Sequence, residues 1–424
     1  MDFTFSPLND FEKLQKALAG LYGPDAASAQ SARYRHLLQG LEETFGPCER
    51  VAVFSAPGRT EIGGNHTDHQ HGMVLAGSVD LDMIAAVAPS GDRTIRIQSE
   101  GFPMDVVDLD DLSVRGEERN TSAAIIRGVA SWFAQHGCRL EGFNAYTTSN
   151  VLKGSGLSSS AAFEVLLGNI INSLFYDSRC SAAELARIGQ YAENVYFGKP
   201  SGLLDQMASS VGGMVTIDFQ DNAAPRVERV EFDFAAAGHA LCIIDSGADH
   251  ADLTDEYAAV TAELKEICAH FGKSVLREVP EEAFMAALPE LRQKAGDRAV
   301  LRAVHVYDEN RRVAKEVEAL RSNDFSAFLS LVRQSGLSSW RLLQNVVPAG
   351  YTRRQEVALA LALCERLLDG RGACRVHGGG FAGTIQAFVP VDMLERFRAE
   401  MDRVLGKGAC HVLTIRPVGG VRLA

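Results

Sequence analysis

The order of apolar and polar positions divides the chain into elements. Residues 1–47 read as helical lead-in segments, and Val51 opens a short strand, "VAVFSAPGR", that runs into a glycine–proline turn. "GMVLAGSVDLDMIAAVAPS" and "TIRIQS" have the β-branched, alternating character of a sheet. "SAAIIRGVASWFAQHG" is an amphipathic helix that ends at Gly137. "GFNAYTTSN" is a further strand, and "VLKGSGLSSSAAFEVLLGNIINSLF" is a glycine–serine loop opening into a long helix. A second helix covers Ala182 to Gly198, and "PSGLLDQMASSVGG" starts a third. "GMVTIDF" and "HALCIIDS" return to strand, while residues 250–370 carry apolar positions three and four apart, as helices do. The tail closes as strand ("FAGTIQAFVP"), helix ("DMLERFRAEMDRVLG") and strand ("CHVLTIRP"). Clusters of strands interrupted by runs of helices predict an α+β protein of two lobes. The boundary falls near residues 220–240, giving lobes of 1–230 and 231–424.

Length supports that division, since 424 residues exceed what one compact core holds. With 46% apolar and 23% charged residues the composition is that of a soluble globular protein. A net charge of −12 argues against a nucleic-acid partner, which needs a basic surface. It leaves room for a small anion, because glycine loops and helix ends bind phosphate inside acidic proteins. Cys48, Cys138, Cys180, Cys242, Cys268, Cys364, Cys374 and Cys410 show no zinc-knuckle or redox spacing. They read as free thiols in a reducing cytosol. "MDFTFSPLNDFEKL" lacks the basic start and apolar core of a signal peptide, and no apolar run approaches membrane-spanning length. A cytoplasmic protein with no membrane partner is the expectation.

Two stretches carry candidate chemistry. In "GSGLSSSAA", Gly154 to Ala162, glycines let the backbone come close to a ligand and serines stand at the first turn of a helix. First-turn amides have no partners within the helix, and the helix dipole favours negative charge there, so the stretch suits an anion. A serine-capped helix is the plainer reading. Other phosphate signatures fail: "FGKS" has Ile267 where a P-loop needs its first glycine, and protein-kinase loops are missing. Gly378, Gly380 and Gly383 spell GxGxxG, but a strand-like run follows where a dinucleotide fold needs a helix. "HGGG", His377 to Gly380, resembles an esterase oxyanion loop but has no GxSxG partner. The second stretch, "APGRTEIGGNHTDHQHG" from Ala56 to Gly72, sets Arg59 and Asp68 beside His66, His69 and His71. Such histidines suit zinc, though a glycine-flanked loop gives no helical register for ligands.

Three segments in order change the picture. "GRTEIGGNHTDHQHG" resembles the galactokinase signature, "GSGLSSSAA" the ATP loop of the GHMP kinases, and "GGGFAG" that superfamily's third motif. "GKPSGLLDQMASSVGG" and "DSGADHADLTDEY" resemble the segments bearing the catalytic aspartate and a sugar-contacting tyrosine. The resemblance spans residues 50–420. It implies the two-lobed GHMP fold, with an N-terminal lobe like ribosomal protein S5 domain 2, a ferredoxin-like C-terminal lobe and the site between them. It implies ATP-dependent phosphorylation of the anomeric hydroxyl of galactose. Asp205 would accept or orient the hydroxyl proton, and Arg59 would keep Asp205 ionised. Gly154, Ser155, Gly156, Leu157, Ser158, Ser159 and Ser160 would hold ATP. Ser160 and Glu193 would hold Mg2+, with Glu164 the competitor for Glu193. Asn65, His66, Asp68, Gly202 and Tyr257 would surround the sugar. The implied partners are a small sugar and ATP, and the implied state is a monomer or weak dimer.

The chain departs from the family's usual GEHTDY, placing Asn65 at the glutamate and His69 at the tyrosine. Glu61, Ile62 and Gly63 replace an asparagine and two aliphatics, and Asp249 replaces a basic residue. An amide donates as well as accepts, whereas a carboxylate only accepts. These changes leave open a different sugar (an amino sugar, a pentose or a 6-deoxy sugar) and a non-catalytic sugar- and ATP-binding regulator.

Overall fold

The computed structural model describes residues 11–23, 26–152, 156–199, 201–248 and 253–424. The first lobe contains α1 (Phe11–Tyr22), α2 (Ala27–Phe45), β1 (Ala52–Gly63), β2 (Met73–Pro89), β3 (Thr94–Ser99), β4 (Asp105–Asp108), α3 (Ser122–Gln135) and β5 (Phe143–Ser149). It continues through α4 (Ser159–Phe175), α5 (Ala182–Tyr191), α6 (Leu204–Val211), β6 (Met214–Asp218) and β7 (Arg226–Arg229). The second lobe opens with β8 (His239–Ala248) and a helical run: α7 (Thr254–His270), α8 (Glu281–Ala286), α9 (Leu288–Lys294), α10 (Gly296–Arg321), α11 (Phe325–Ser338) and α12 (Glu356–Leu368). β9 (Ala373–Val376), β10 (Gly383–Pro390), α13 (Leu394–Leu405) and β11 (Cys410–Leu413) complete it, and β12 (Val421–Arg422) returns to the first lobe.

Among the described residues the first sheet runs β12-β1-β2-β5-β3-β4, with β6 on β2 and β7 on β6. The segment after Gly72, read as strand, is one long strand, β2, which pairs with β1, β5 and β6. The second sheet runs β11-β8-β10-β9. Alternation explains why one face of the first sheet is apolar: Ala52, Phe54, Ala85, Val87 and Ala145 meet Val129 and Phe133 of α3 and Leu166 and Ile170 of α4. A further core joins the lobes, packing Ile62 and Leu75 against Leu241, Val313 and Phe388.

The lobe division differs at one end from a cut at residue 230. β12 pairs antiparallel with β1, and Arg416 lies fully buried against Asp82 of β2. An edge strand leaves unpaired backbone groups, and the tail satisfies them. No described helix is long and apolar enough to cross a membrane.

Candidate active site

β1 delivers Arg59, at a point where its ladder with β2 shifts register between Pro57 and Arg59. Such irregularities re-aim side chains. Asp205 stands in the first turn of α6. Arg59 Nε donates to Asp205 Oδ1 at 2.8 Å, and Nη2 lies 2.6 Å from the same oxygen. The third guanidinium nitrogen, Nη1, donates to the carbonyl of Gly156, and the Arg59 amide donates to the carbonyl of Leu157 at 3.0 Å. Ser158 Oγ donates to the other aspartate oxygen, Oδ2. One arginine therefore joins the aspartate to the glycine–serine loop. Asp205 keeps 36% of its side chain exposed, so part of the carboxylate remains open to a ligand. Burial pushes its carboxyl up, but the Arg59 charge and the hydrogen bonds from Ser158 and Arg59 outweigh it. The group is held below the ordinary carboxylate value.

The loop turns sharply before α4. Ser158 occupies the left-handed region at φ 54° and ψ 63°, and as N-cap makes no side-chain cap bond. Its hydroxyl goes to Asp205 instead. The plain serine-cap reading therefore fails at this helix, and no N-cap side chain competes for its first-turn amides. A cavity of about 480 Å³ opens beside Ser159 and Ser160, with Ile125, Thr147, Phe163 and Phe197 among its walls. Pockets of this size hold small ligands and cofactors. Gly154 and Ser155 lie outside the described residues, as does Asp249.

Behind that tip lie both candidate metal carboxylates. Glu193 sits in a π-helical turn, Ala192–Phe197, a form common at functional sites. Its Oε1 is 3.1 Å from Lys199 Nζ, and Gln206 Nε2 donates at 2.9 Å to Oε2 of both Glu193 and Glu164. Burial first, and then the Glu193 charge, push Glu164 well above the ordinary value. Glu164 Oε1 has no hydrogen-bond partner among the described residues.

The histidine-rich loop folds against Gly202 on one side and the glycine turn after β9 on the other. A Cβ on Gly202 would stand 2.5 Å from Asp68 Oδ2, so an added methyl would push the Asp68 carboxylate aside. Burial raises the Asp68 carboxyl, and nearby Asp205 adds to that, against His66 and Arg59. His66 Nε2 meets the Gly379 carbonyl at 2.9 Å, and its Nδ1 meets His69 Nε2 at 3.2 Å. Burial and His66 together lower His69 to about 3, so it stays neutral. Tyr257 Oη donates to the Gly380 carbonyl at 2.7 Å, beside the Gly379 contact of His66.

Asn65 is placed otherwise than the resemblance implies. It is fully buried, donating to Glu61 Oε1 at 3.2 Å and the Gly378 carbonyl at 2.6 Å. Its Oδ1 accepts from Asn345 Nδ2 at 2.8 Å and Ser339 Oγ at 3.3 Å. All the amide's hydrogen-bonding capacity goes to protein, so Asn65 ties the lobes together and does not face a sugar.

With this geometry in place, comparison with known proteins is informative. The GHMP kinases N terminal domain model matches residues 124–213, and the galactokinase galactose-binding signature matches residues 40–89. A galactokinase from Glaesserella parasuis is 31% identical over 84% of this chain and 90% of its own length. One from Streptomyces coelicolor is 31% identical over 90% of this chain and 96% of its own. The chain belongs to the galactokinase family. The crystal structure of Lactococcus lactis galactokinase complexed with galactose shares the fold at TM-score 0.78 and 25% identity, over 92% of this chain and 99% of that one. A mevalonate kinase structure matches at TM-score 0.60 and 13% identity, which speaks for the GHMP fold alone. As a galactokinase-family member, the chain is a sugar kinase of the two-lobed α+β type.

Some residues of this galactokinase-family site carried no sequence signal. Arg375 is fully buried and donates to Glu61 Oε1 at 2.7 Å from 314 positions away. Lys199 beside Glu193 and Gln206 between the two glutamates lie within "GKPSGLLDQ", where the resemblance singled out only Gly202 and Asp205.

Proposed function

We propose that this chain transfers the γ-phosphoryl group of ATP to the anomeric hydroxyl of galactose, making galactose 1-phosphate. One observation carries the reading: an ionised, partly open Asp205 is held by Arg59 and Ser158 against the nucleotide loop, with Asp68 close by. ATP would lay its phosphates on the α4 tip and its base in the adjoining cavity. The sugar would bind at Asp68, His66, Gly202 and Tyr257. His66 has both ring nitrogens engaged by protein, so its role there is to hold the loop.

A carboxylate kept below its ordinary value is a weak base for a sugar hydroxyl. Proton transfer to Asp205 therefore comes late, as the oxygen bonds to phosphorus, and early in the reaction Asp205 orients that hydroxyl. Phosphoryl transfer gains most from such positioning and from charge neutralisation. Magnesium would be held by the hard hydroxyl oxygen of Ser160 at the helix start and by Glu193, whose Oε1 would exchange the Lys199 ammonium for the metal. When bound, it would neutralise phosphate charge. Glu164, raised by burial, is the poorer ligand and serves to fix Gln206.

A second reading, a different sugar, is favoured by the burial of Asn65, since nothing from that position reaches the substrate. A sugar panel read by ADP release tests both. Galactose should give the highest kcat/KM. Faster turnover of a pentose, amino sugar or 6-deoxy sugar would replace galactose, and binding without turnover would mark a regulator.

A further inference from the structure

The second lobe contains a cavity of about 520 Å³ that the proposed chemistry does not use. It lies between α11, α12 and β9. Leu337, Trp340, Leu361 and Leu368 give it apolar walls, and Cys374 lies among its lining residues. Leu337 is 53% exposed and Trp340 46%, so bulky apolar groups stand uncovered at its mouth. Arg333 also lines it. One of its N–H groups donates to the Gly372 carbonyl at 2.8 Å, and no carboxylate among the described residues pairs with the guanidinium. Glu365 stands on the α12 wall.

The same elements hold the sugar loop with their other faces. Ser335 Oγ of α11 donates to Glu309 Oε1 at 2.6 Å, and that oxygen accepts from the Gly64 amide at 3.2 Å. Ser338 Oγ meets His305 Nδ1 at 2.8 Å, whose Nε2 lies 3.0 Å from the Asn65 carbonyl. Ser339, next to Trp340, reaches Asn65 directly. On β9, Arg375 next to Cys374 holds Glu61. Helix and strand are in close contact: a Cβ on Gly336 would stand 3.1 Å from the Cys374 carbonyl. A ligand that wedges α11 from β9 must move groups that hold residues 61–65.

We infer that this cavity is an effector site for a small apolar anion, an aryl or medium-chain acid, whose binding changes affinity for the sugar. The apolar walls select the body of such a ligand, and the unpaired Arg333 selects its acidic end. Glu365 on the α12 wall repels the acidic end and so confines it to the α11 side, at Arg333. The coupling rests on the sugar-site reading above, whereas ligand binding does not.

The probe is 8-anilinonaphthalene-1-sulfonate, titrated into the full chain with ADP present to fill the nucleotide cavity. Saturable one-to-one binding is expected, with energy transfer from Trp340 that Trp340→Phe removes while binding persists. Ala362→Phe, which fills the mouth, should abolish binding, and Arg333→Gln should weaken it about tenfold, the worth of a lost charge-assisted hydrogen bond. Saturating galactose should shift the probe's Kd about fivefold, and the probe should shift the KM for galactose by a similar factor, since linkage is reciprocal. Binding that never saturates, or that ignores Ala362→Phe, overturns the site. Probe binding that sugar leaves unchanged, in protein that turns galactose over, overturns the coupling. Competition between the probe and self-association, seen by sedimentation, would assign the face to a second copy of the chain.

Discussion

Two carboxylates in the first lobe have nearly the same partners and different uses. Asp205 takes an arginine and a serine hydroxyl. Asp82 of β2 takes Arg33 and Arg416, with the hydroxyls of Ser55 and Tyr22. At both, burial pushes the carboxyl up, and neighbouring cations and hydroxyls more than reverse it. The difference is access. Asp82 is fully buried, and all its partners are protein. Asp205 is partly open, beside a loop built to approach a ligand. An Arg–Asp–Ser cluster is therefore not itself a mark of catalysis. At Asp82 it bolts α1, α2 and the C-terminal tail to β2.

Substitutions can break this contrast. Asp205→Ala should cut turnover at least ~100-fold, the scale of a lost general base, with ATP binding nearly unchanged and a lower melting temperature, because buried Arg59 loses its anion. Equal loss of nucleotide binding would count against its role. Asp82→Ala should act the other way. It strands Arg416, fully buried, and Arg33 without their anion, at a cost of about 3–5 kcal/mol in urea unfolding, while the protein that remains folded turns over normally. Gly202→Ala comes next: its methyl would displace Asp68, raising the KM for sugar about tenfold with a smaller change in kcat.

The smallest effect is one of pH. Since Asp205 titrates below its ordinary value, the ionised form and its pairing with Arg59 persist above that value and are lost only as pH falls through the lower, folded one. The acid limb of the kcat profile should move to higher pH in Arg59→Gln. An unmoved limb would mean that the Arg59 charge does not hold Asp205 down.

Much of the fold was legible because its elements are long and strongly patterned. The α4 segment and the helical run from α7 to α12 show their spacing within a single window. The Arg59, Asp205 and serine-loop grouping was legible only through motif resemblance, since the two charged residues stand 146 positions apart. What stayed hidden depends on which way one side chain turns. Ser158 could cap its helix or reach Asp205, and local sequence permits both. Asn65 could line a cavity or fill a core, and the outcome depends on Ser339 and Asn345, more than 270 positions away. Contacts at that range leave no periodic trace.

The pairing of β12 with β1 has a consequence for biosynthesis. The strand that presents Arg59 is among the first made, yet at Phe54 and Ser55 its outer edge is paired, among the described residues, by Arg422 and Val421. During translation the nucleotide lobe must wait, with β1 exposed, until the ribosome has produced the whole of the second lobe. Premature termination late in the message would therefore damage the lobe encoded first.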